Sequence, residues 1–477
     1  MTSMIVVLPI VRLIQKLFDM KLLTITEIAA ATGAEMIGSD SGQLVSAVNT
    51  DTRDQQAGSL FIALRGDNFD GHAFIDSAIE NGAVCLMLDE LPEDVDDLAV
   101  PVLLVENTLY GLQRLALWYR TQLNITVVGI TGSNGKTSTK DFAASVLSQQ
   151  FKVNATKGNY NNHIGLPLSI LSTDESDEVC VWEMGMNRAG EIAPLCEISA
   201  PDIGIITNVG VAHIENLGTR EGIAEEKGAL ARALPEQGML ILPASCDFAD
   251  YMIERTPAKF MVVGNGRGAV RAEELKMTAN GSSFKLCIDG EEEIAAEIPV
   301  SGKHMVNNAL LAAATAHVLG VPPTKIVVGL AATLLTSGRL RRYQSTGITV
   351  IDDTYNANPD SVAAAIETLA DLETHNGSRK VVVLGMMAEL GAQTDQAHIR
   401  VGEIAAERHL QVVSVGAAAD KIYQGAVALD DTAKHFENIN TAASWLKNYC
   451  RHGDLVLFKG SRMAGMENVM HAAFPED

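Results

Sequence analysis

The chain has 477 residues, of which 47% are hydrophobic and 20% are charged, as is typical of a soluble globular protein. This length exceeds one ordinary hydrophobic core and predicts two or three domains. The 36 Lys and Arg residues and 59 Asp and Glu residues give a formal net charge of −23. Such an acidic chain argues against nucleic acid or an anionic membrane as the main partner, because both need a basic face. The six cysteines are scattered without a C-x-x-C pair, which predicts buried, reduced thiols in the cytoplasm.

Residues 1–19 form an apolar stretch at the start of the chain. Arg12 and Lys16 interrupt it, no small-residue cleavage site follows, and it is too short to span a bilayer. We therefore expect residues 1–19 to be a dispensable extension or the result of a misplaced start codon, and we expect no stable insertion in a membrane.

The next segments predict a small α/β unit. Apolar runs at 60–64, 84–88 and 101–105 have the composition of strands and surround a predicted helix near 73–81. Residues 107–120 carry leucines at helical spacing, which predicts a helix that connects two domains.

From residue 125 onward, short apolar runs alternate with helical patterns. The predicted strands of a first series are 125–130, 179–183, 203–207 and 239–242, and its predicted helices are 137–150, 221–234 and 305–320. A second series has predicted strands at 348–352, 381–385, 412–416 and 454–458. Such alternation predicts an α/β fold with mostly parallel sheets that are covered on both faces. The expected domains are 1–106, 107–337 and 338–477.

The stretch TVVGITGSNGKTSTKDF, residues 126–142, joins a strand to a helix through a glycine-rich loop. Such a loop points successive N–H groups at phosphate oxygens, and the helix dipole and a lysine add positive charge. The regular G-x-x-x-x-G-K-[ST] pattern fails, because Ile130 stands where glycine is required and Gly129 lies one place early. The shorter G-x-x-G-K-T remains and predicts a site for ATP or a close relative. Lys136 is expected to reach the β- and γ-phosphates, and Thr137 to hold Mg²⁺.

Three further polar residues follow predicted strands of the central sheet, where open parallel sheets bind their ligands. Glu183 ends one strand, His213 follows the next, and Lys227 lies on the helix after that. Each residue alone also fits a purely structural role: a turn cap for Glu183, a hydrogen-bonded loop histidine for His213, and a solvated helix face for Lys227. Together, near Mg²⁺-ATP, they indicate metal-assisted phosphoryl transfer, which needs several oxygen or nitrogen ligands.

Seven motifs resemble the Mur ligases: TGSNGKTSTK, GNYNNHIGLPLSIL, EMGMNRAGEI, TNVGVAHIENLG, EEKGAL, DDTYNANPDS and FKGSR. The resemblance runs from about Met20 to the C-terminus, and the family shares the shifted glycine. It implies an N-terminal domain for a UDP-sugar, a central ATPase domain with a phosphate loop, and a Rossmann-like C-terminal ligase domain. It is strongest to members that add D-alanyl-D-alanine to UDP-N-acetylmuramoyl-tripeptide, through an acyl phosphate, for peptidoglycan precursor synthesis.

The resemblance also implies roles for individual residues. Those expected to bind ATP are Gly132, Ser133, Asn134, Gly135, Lys136, Thr137, Ser138, Asn307, Arg339 and Asp353, with Asp352 as a close rival of Asp353. Two Mg²⁺ ions are implied, with the ligands Thr137, Glu183, His213 and a carbamylated Lys227. Lys136, His213 and Lys227 are expected to take part in catalysis. Expected substrate contacts are Thr52, Arg53, His72, Asn161, Asn162, Lys459, Ser461 and Arg462.

Two positions depart from the family pattern. Met386 replaces an expected acid in GMMAELG, and His163 stands where an acid is common. Both put the local polar contacts in doubt. We expect a cytoplasmic protein that acts as a monomer, although the sequence does not determine the oligomeric state. The third residue of the acceptor peptide stays open between lysine and diaminopimelate.

Three other functions fit parts of the sequence. A sister ligase would add a single amino acid, but it usually shows a D-N-P-R type signature and KGHE, where this chain has YNANP and KGSR. A catalytically inactive nucleotide-binding regulator predicts a broken metal set, whereas Thr137, Glu183, His213 and Lys227 are all present. A small-molecule kinase would leave the outer domains without a purpose.

Overall fold

The computed structural model describes residues 20–39, 42–66, 68–93, 95, 98–278, 280–374 and 377–476. The extension expected at 1–19 lies outside the described residues. The chain forms two compact units, and it passes between them more than once. The first unit comprises the chain up to Val127, Lys152–Met184 and Pro194–Pro201. The second unit comprises Val128–Phe151, Gly185–Ala193 and the chain from Asp202 onward. No helix in the described ranges has the length and apolar character needed to cross a membrane.

Strands and helices alternate along most of the chain. The strands are β1 (Leu23–Thr24), β2 (Glu35–Ile37), β3 (Leu44–Val45), β4 (Ala47–Asn49), β5 (Ser59–Ile62), β6 (Arg65–Gly66), β7 (Phe69–Asp70), β8 (Ala83–Leu88), β9 (Val102–Leu104), β10 (Thr126–Thr131), β11 (Val153–Ala155), β12 (Val179–Glu183), β13 (Ile203–Ile206), β14 (Met239–Pro243), β15 (Lys259–Asn265), β16 (Val270–Thr278), β17 (Gly281–Ile288), β18 (Ile294–Ile298), β19 (Arg341–Ser345), β20 (Ile348–Asp353), β21 (Lys380–Leu384), β22 (Gln411–Val415), β23 (Lys434–Phe436) and β24 (Leu455–Lys459). The helices are α1 (Ile25–Thr32), α2 (Ile75–Glu80), α3 (Thr108–Thr121), α4 (Lys136–Leu147), α5 (Gly165–Leu171), α6 (Ile192–Ser199), α7 (Ile214–Leu217), α8 (Arg220–Ala233), α9 (Ala249–Ile253), α10 (Lys303–Val318), α11 (Pro323–Ala331), α12 (Pro359–Asp371), α13 (Thr394–Glu407), α14 (Asp420–Val427), α15 (Ile439–Tyr449) and α16 (Met466–Ala473).

The first unit contains a five-stranded sheet with the order β2-β9-β8-β5-β4. Its strands run parallel except at the β2–β9 edge, where the pairing is antiparallel. Strand β5 is buried throughout, and β8 nearly so, as expected for parallel strands covered on both faces. The predicted small α/β unit is thus confirmed. Strands β11 and β12 of the same unit pair in parallel.

Helix α3 is fixed within the first unit by Tyr119, whose side chain is fully buried. The Tyr119 hydroxyl accepts a hydrogen bond from the Lys21 N–H at 2.8 Å and donates one to the Thr173 carbonyl at 2.7 Å. Burial raises the pKa of Tyr119 to about 12, so the phenol stays protonated and can donate. One hydroxyl thereby joins three distant segments of the chain.

We expect Tyr119→Phe to lower the free energy of unfolding by about 1–2 kcal/mol, because it leaves the Lys21 and Thr173 backbone groups without this partner. Urea unfolding at pH 7 measures the change. Tyr110→Phe is the matched control, since Tyr110 lies on the same helix and is 64% exposed. Equal stability of the two variants would contradict the prediction.

The second unit contains the strand order β10-β13-β14-β15-β16-β17-β18. Strands β10, β13, β14 and β15 run parallel, which confirms the mostly parallel sheet. The antiparallel strands β16, β17 and β18 at its end were not predicted. In β16, Val270 and Ala272 are buried while the residues beside them are less so. This alternation is typical of a strand that is covered on one face.

The last part of the chain, also in the second unit, forms a six-stranded sheet with the order β19-β20-β24-β21-β22-β23. Only β19 is antiparallel to its neighbour. Val350, Val383 and Phe458 are buried in the core of this sheet. This is the predicted third α/β domain, and the predicted α/β class is confirmed. The domain boundaries near 106 and 337 stay predictions. All six cysteines are buried.

Candidate active site

The loop 132–135 connects β10 to α4 and requires glycine at both ends. Gly132 and Gly135 have φ angles of 151° and 82°, which side chains disfavour. A Cβ atom at Gly135 would lie 2.6 Å from Oδ1 of Asn308, and one at Gly132 would overlap the hydroxyl of Thr207. The backbone can therefore turn closely here only because side chains are absent.

A single asparagine, Asn208, holds the loop in place. Its Oδ1 accepts the Asn134 N–H at 2.9 Å, its Nδ2 donates to the Asn134 carbonyl at 3.2 Å, and its own carbonyl accepts the Ser133 N–H at 3.1 Å. Asn208 was not singled out from the sequence, although it lies in the TNVG motif. These bonds fix the backbone of the loop that leads into α4, so the N–H groups at the start of that helix do not have to reorient when an anion binds.

Lys136 begins α4, and its ammonium donates to the Gly132 carbonyl at 2.7 Å. Thr137 and Ser138, which follow in the first turn, are both buried. The predicted phosphate-binding residues 132–138 are thus brought together at one helix N-terminus.

Lys227 lies on α8 and is fully buried. Burial lowers its pKa well below the ordinary value, and the nearby charge of Lys136 lowers it further, while Glu226 opposes both. Both effects favour the uncharged amine of Lys227 over its ammonium form. An uncharged amine is nucleophilic, which an ammonium is not.

His213 and Glu389 meet in the second unit, with His213 Nδ1 2.6 Å from Glu389 Oε2. Hydrogen bonding by His213 lowers the pKa of the Glu389 carboxyl. Both residues have left-handed backbones, with φ angles of 63° and 61°. Non-glycine residues in this region cost about 1 kcal/mol or more each and persist where the surroundings fix them, often at functional sites. Sequence reasoning did not find Glu389.

Asp353 and Lys459 were predicted to contact separate ligands, but the structure pairs them with each other. Lys459 Nζ lies 2.6 Å from Asp353 Oδ2 and donates to the Asn356 carbonyl at 3.0 Å. Burial lowers the pKa of Lys459, and Asp353 opposes this shift. Asp352 instead accepts hydrogen bonds from the backbone and hydroxyl of Thr354. Here both aspartates order the loop that follows β20, and their predicted ligand contacts stay predictions.

The same loop reaches the phosphate loop. Asn358 Nδ2 donates to Asn134 Oδ1 at 2.8 Å, while Asn358 Oδ1 caps the start of α12. Asp360 Oδ2 accepts the Val211 N–H at 3.0 Å. The third domain thereby contacts both the loop that would bind phosphate and the segment that precedes His213.

A cleft of about 210 Å³ contains the predicted adenine contact, Asn307. Its lining residues are Met277, Lys303, His304, Asn307, Ala364, Glu367, Thr368 and Asp371. Oδ1 of Asn307 is buried and has no hydrogen-bond partner in the described part of the chain, so it can accept a bond from a ligand amino group. The Arg339 guanidinium stacks on the Tyr355 ring at 4.2 Å.

His304, in this cleft, predicts a loss of stability in acid. Burial lowers its pKa to about 4, so folding disfavours its protonated form, and this stability is lost as the pH falls below the unfolded value of about 6.5. When the pH falls from 7 to 5, we expect the free energy of unfolding of His304→Asn to decrease by about 1 kcal/mol less than that of the wild type. Urea unfolding at both values measures this, with His317→Asn on the same helix as control. Identical losses in all three proteins would contradict the assignment.

In the first unit, Thr52 and Arg53 lie in a turn capped by Asp51, whose carboxylate binds the exposed Arg53 guanidinium. His72 lies between two carboxylates, with Nδ1 2.7 Å from Asp70 and Nε2 3.2 Å from Asp89. These bonds do not link Arg53 to His72. Their predicted roles in binding the UDP moiety stay predictions.

Asn161 and Asn162 serve different partners in the first unit. Asn161 Nδ2 donates to Glu183 Oε2 at 3.3 Å, and so helps to orient the expected metal ligand. Asn162 Oδ1 accepts the N–H groups of Ile164 and Gly165, which caps α5.

Ser461 and Arg462 follow β24 in the second unit. The Ser461 hydroxyl is buried without a partner among the residues described, while Arg462 binds Glu467 near the surface at 3.3 Å. Their predicted contacts with the peptide or dipeptide carboxylate stay predictions.

Three family models match the chain. The Mur ligase middle domain matches residues 130–316, the glutamate ligase domain of Mur ligases matches 338–462, and the catalytic domain of the Mur ligase family matches 44–117. The match to the UDP-N-acetylmuramoyl-tripeptide–D-alanyl-D-alanine ligase of Bacillus subtilis is 36% identical and covers 90% of this chain and 93% of that protein. The match to the Escherichia coli ligase of the same name is 34% identical and covers 94% of this chain and 98% of that protein.

Solved structures show the same similarity. A crystal structure of MurF from Acinetobacter baumannii superimposes with a TM-score of 0.88 at 31% identity, covering 95% of this chain and 99% of that one. MurF ligase from Thermotoga maritima in complex with ADP gives a TM-score of 0.79 at 28% identity, covering 89% and 96% of the two chains. These likenesses confirm the three-domain α/β architecture.

Proposed function

Because the chain belongs to the Mur ligase family, we propose that it joins D-alanyl-D-alanine to UDP-N-acetylmuramoyl-tripeptide in an ATP-driven reaction of peptidoglycan precursor synthesis. The observation that carries this proposal is the similarity, along nearly the whole chain, to ligases of this specificity. A phosphate loop alone would fit many other nucleotide-dependent enzymes.

In the proposed enzyme, residues 132–138 surround the triphosphate and N–H groups at the start of α4 bind it, while the Ser133 and Asn134 N–H groups stay bonded to Asn208. Lys136 turns from the Gly132 carbonyl to the β- and γ-phosphates and offsets their charge. Asn307 Oδ1 accepts a hydrogen bond from the adenine amino group. These contacts leave the γ-phosphate at the N-terminus of α4, where the tripeptide carboxylate can approach it.

The reaction has two displacements. A carboxylate oxygen of the tripeptide bonds to the γ-phosphorus while the bond from that phosphorus to ADP breaks, giving an acyl phosphate. The amino nitrogen of D-alanyl-D-alanine then bonds to the acyl carbon, loses a proton, and inorganic phosphate leaves. Phosphorylation is needed because a carboxylate is a poor electrophile. Contacts between the third domain and the phosphate loop, such as Asn358 to Asn134, would help to exclude water from the acyl phosphate.

Mg²⁺, in two ions, is the metal we propose, since the candidate donors include a hydroxyl and a carboxylate, the oxygen ligands that this hard cation prefers, beside one imidazole. Thr137, Glu183 and His213 would supply these donors. Bound Mg²⁺ would offset the charge of the triphosphate and of the attacking carboxylate. The chemistry of Lys227 fits such a site only after modification, because an amine is a poor ligand for this hard cation.

We further propose that Lys227 reacts with carbon dioxide. Its uncharged amine nitrogen would bond to the carbon of CO₂ and release a proton, which leaves an anionic carbamate. The lowered pKa of Lys227 supports this, because only the uncharged amine is nucleophilic. The carbamate would place a negative charge beside Lys136 and supply carboxylate-like oxygens to the metal.

The remaining predicted contacts belong to the same proposal. Thr52, Arg53 and His72 would bind the UDP moiety, Asn161 and Asn162 the tripeptide side, and Lys459, Ser461 and Arg462 the dipeptide carboxylate. Arg339 and Asp353 would complete the nucleotide site. Since ATP and UDP-linked precursors are cytoplasmic compounds, we propose that the protein acts in the cytoplasm, as a monomer.

The test is phosphate release by the purified protein with Mg²⁺-ATP, UDP-N-acetylmuramoyl-tripeptide and D-alanyl-D-alanine, with each omitted in turn. We expect phosphate release only when all three substrates are present. The mass of the product should exceed that of UDP-N-acetylmuramoyl-tripeptide by the mass of the dipeptide minus that of water. Turnover with single amino acids would instead identify the sister ligase. ATP binding without release under any combination would indicate an inactive regulator.

A further inference from the structure

Glu226 lies on α8 immediately before Lys227, and both of its carboxylate oxygens are occupied by backbone groups. Its Oε2 accepts the Gly190 N–H at 2.7 Å, and its Oε1 accepts the N–H groups of Glu191 and Ile192 at 2.8 and 2.7 Å. Glu226 is 8% exposed. Three short, charge-assisted hydrogen bonds satisfy a buried carboxylate that would otherwise be costly.

The segment 187–192 is held by a second carboxylate as well. Oε2 of Glu191 accepts the N–H groups of Asn187 at 2.6 Å and Arg188 at 3.2 Å. The turn that leads into α6 thus directs its N–H groups to two carboxylates, one of its own and one from α8. The bonds to Glu226 link this turn to α8.

These bonds also constrain the rotation of α8 about its axis. Consecutive side chains on an α-helix point about 100° apart. Since the Glu226 side chain faces the turn, the Lys227 side chain leaves the helix about 100° further round the axis. A rotation of α8 would break the bonds of Glu226 and move the Lys227 nitrogen.

We propose that Glu226 is a positioning residue for the reaction, which fixes α8 against the turn 187–192 and so sets the position of the Lys227 nitrogen. Three backbone N–H groups occupy three of the about four acceptor sites of its carboxylate, so we assign Glu226 to the turn and not to the metal. This inference rests on the proposed function, in which Lys227 supplies ligand oxygens.

The test compares Glu226→Ala and Glu226→Gln with Glu225→Gln. Glu225 is the matched control, because it is the neighbouring residue of the same helix but lies at the surface, where it contacts Tyr251 and Arg232. Three quantities are measured: the carbamate signal in ¹³C NMR after equilibration with ¹³C-bicarbonate, the Mg²⁺ concentration for half-maximal activity, and KM for D-alanyl-D-alanine.

For Glu226→Ala we expect the carbamate signal to fall at least fivefold and the half-maximal Mg²⁺ concentration to rise at least fivefold, with KM for the dipeptide within twofold of wild type. Glu226→Gln keeps the shape and one acceptor oxygen, so its changes should be intermediate. Glu225→Gln should match the wild type in all three quantities.

A merely structural role would lower the melting temperature of Glu226→Ala without moving the carbamate signal or the Mg²⁺ dependence, and this result would overturn the inference. If Glu226→Ala does not fold, the carbamate signal and the Mg²⁺ dependence of Glu226→Gln test the inference instead. If the wild type shows ligase activity but no carbamate signal, the half-maximal Mg²⁺ concentration of Glu226→Ala, compared with that of the wild type, is the only test of the inference. Absence of ligase activity in the wild type would instead overturn the proposed function.

Discussion

Replacing Lys136 with alanine is expected to lower kcat about 10³-fold, the loss typical of removing one preorganised donor to developing charge. The ammonium donates to the Gly132 carbonyl at 2.7 Å, at the start of the helix that would hold the phosphates. The loop glycines and Asn208 remain in the variant, so ATP should still bind. The loss should therefore appear mainly in kcat, with a smaller rise in KM for ATP.

Steady-state phosphate release with saturating substrates measures this effect, and binding of a non-hydrolysable ATP analogue separates binding from chemistry. Lys259→Ala, on strand β15, is a control that removes a lysine at a distance from the loop. Should Lys136→Ala keep more than a tenth of wild-type kcat, the assigned role of Lys136 would be wrong. The variant should also raise the pKa of Lys227, since the charge of Lys136 lowers it.

Lys227→Ala should be about as damaging, with a loss of kcat of about 10³-fold, and small carboxylates should restore part of the activity. Truncation of this fully buried side chain leaves a space inside the second unit. Acetate or propionate that enters the space can supply the oxygens that the carbamate would have supplied. An amine of the same size cannot, because it offers no hard oxygen donor.

The measurement is activity of Lys227→Ala against acetate, propionate and, as the negative control, ethylamine at equal concentration and ionic strength. Recovery of at least tenfold with a carboxylate is expected, and none with ethylamine. The exposed Lys325→Ala variant should show neither loss nor recovery. A Lys227→Ala enzyme that is fully active without any added carboxylate would contradict the proposed ligand role.

The phosphate loop could be predicted from the sequence because its determinants are local. Strand, glycines, lysine and helix follow one another within residues 126–147, and Gly132 and Gly135 are required by their own backbone angles. The strands of the parallel sheets were predicted for a similar reason, since continuous apolar runs indicate burial on both faces. Predicted helices such as 107–120 begin and end within a few residues of the observed α3.

The contacts that complete the site could not be predicted, because they join residues that are far apart in the chain. Asn208 holds a loop more than seventy positions before it, and Lys459 pairs with Asp353 across more than one hundred positions. No periodicity in a sequence records such pairs. The left-handed backbones of His213 and Glu389 are equally invisible, because neither residue type requires that conformation.

The two departures from the family pattern involve main-chain contacts. The carbonyl of Met386 accepts the Ser461 N–H at 2.8 Å, and the carbonyl of His163 accepts a bond from Gln113 at 3.0 Å. Because any residue offers a carbonyl, these contacts do not depend on the side chain present. The same main-chain bonds would form with an acidic residue at either position.

The burial of all six cysteines has a practical consequence for following the enzyme during turnover. Burial raises the pKa of Cys180 and of Cys450 to about 12, and that of Cys246 and Cys287 above the ordinary value, so their thiolates are scarce at neutral pH. A maleimide dye should therefore react far faster with one cysteine introduced at an exposed position than with the native thiols. Fluorescent reporters could be attached to the third domain without first replacing any native residue.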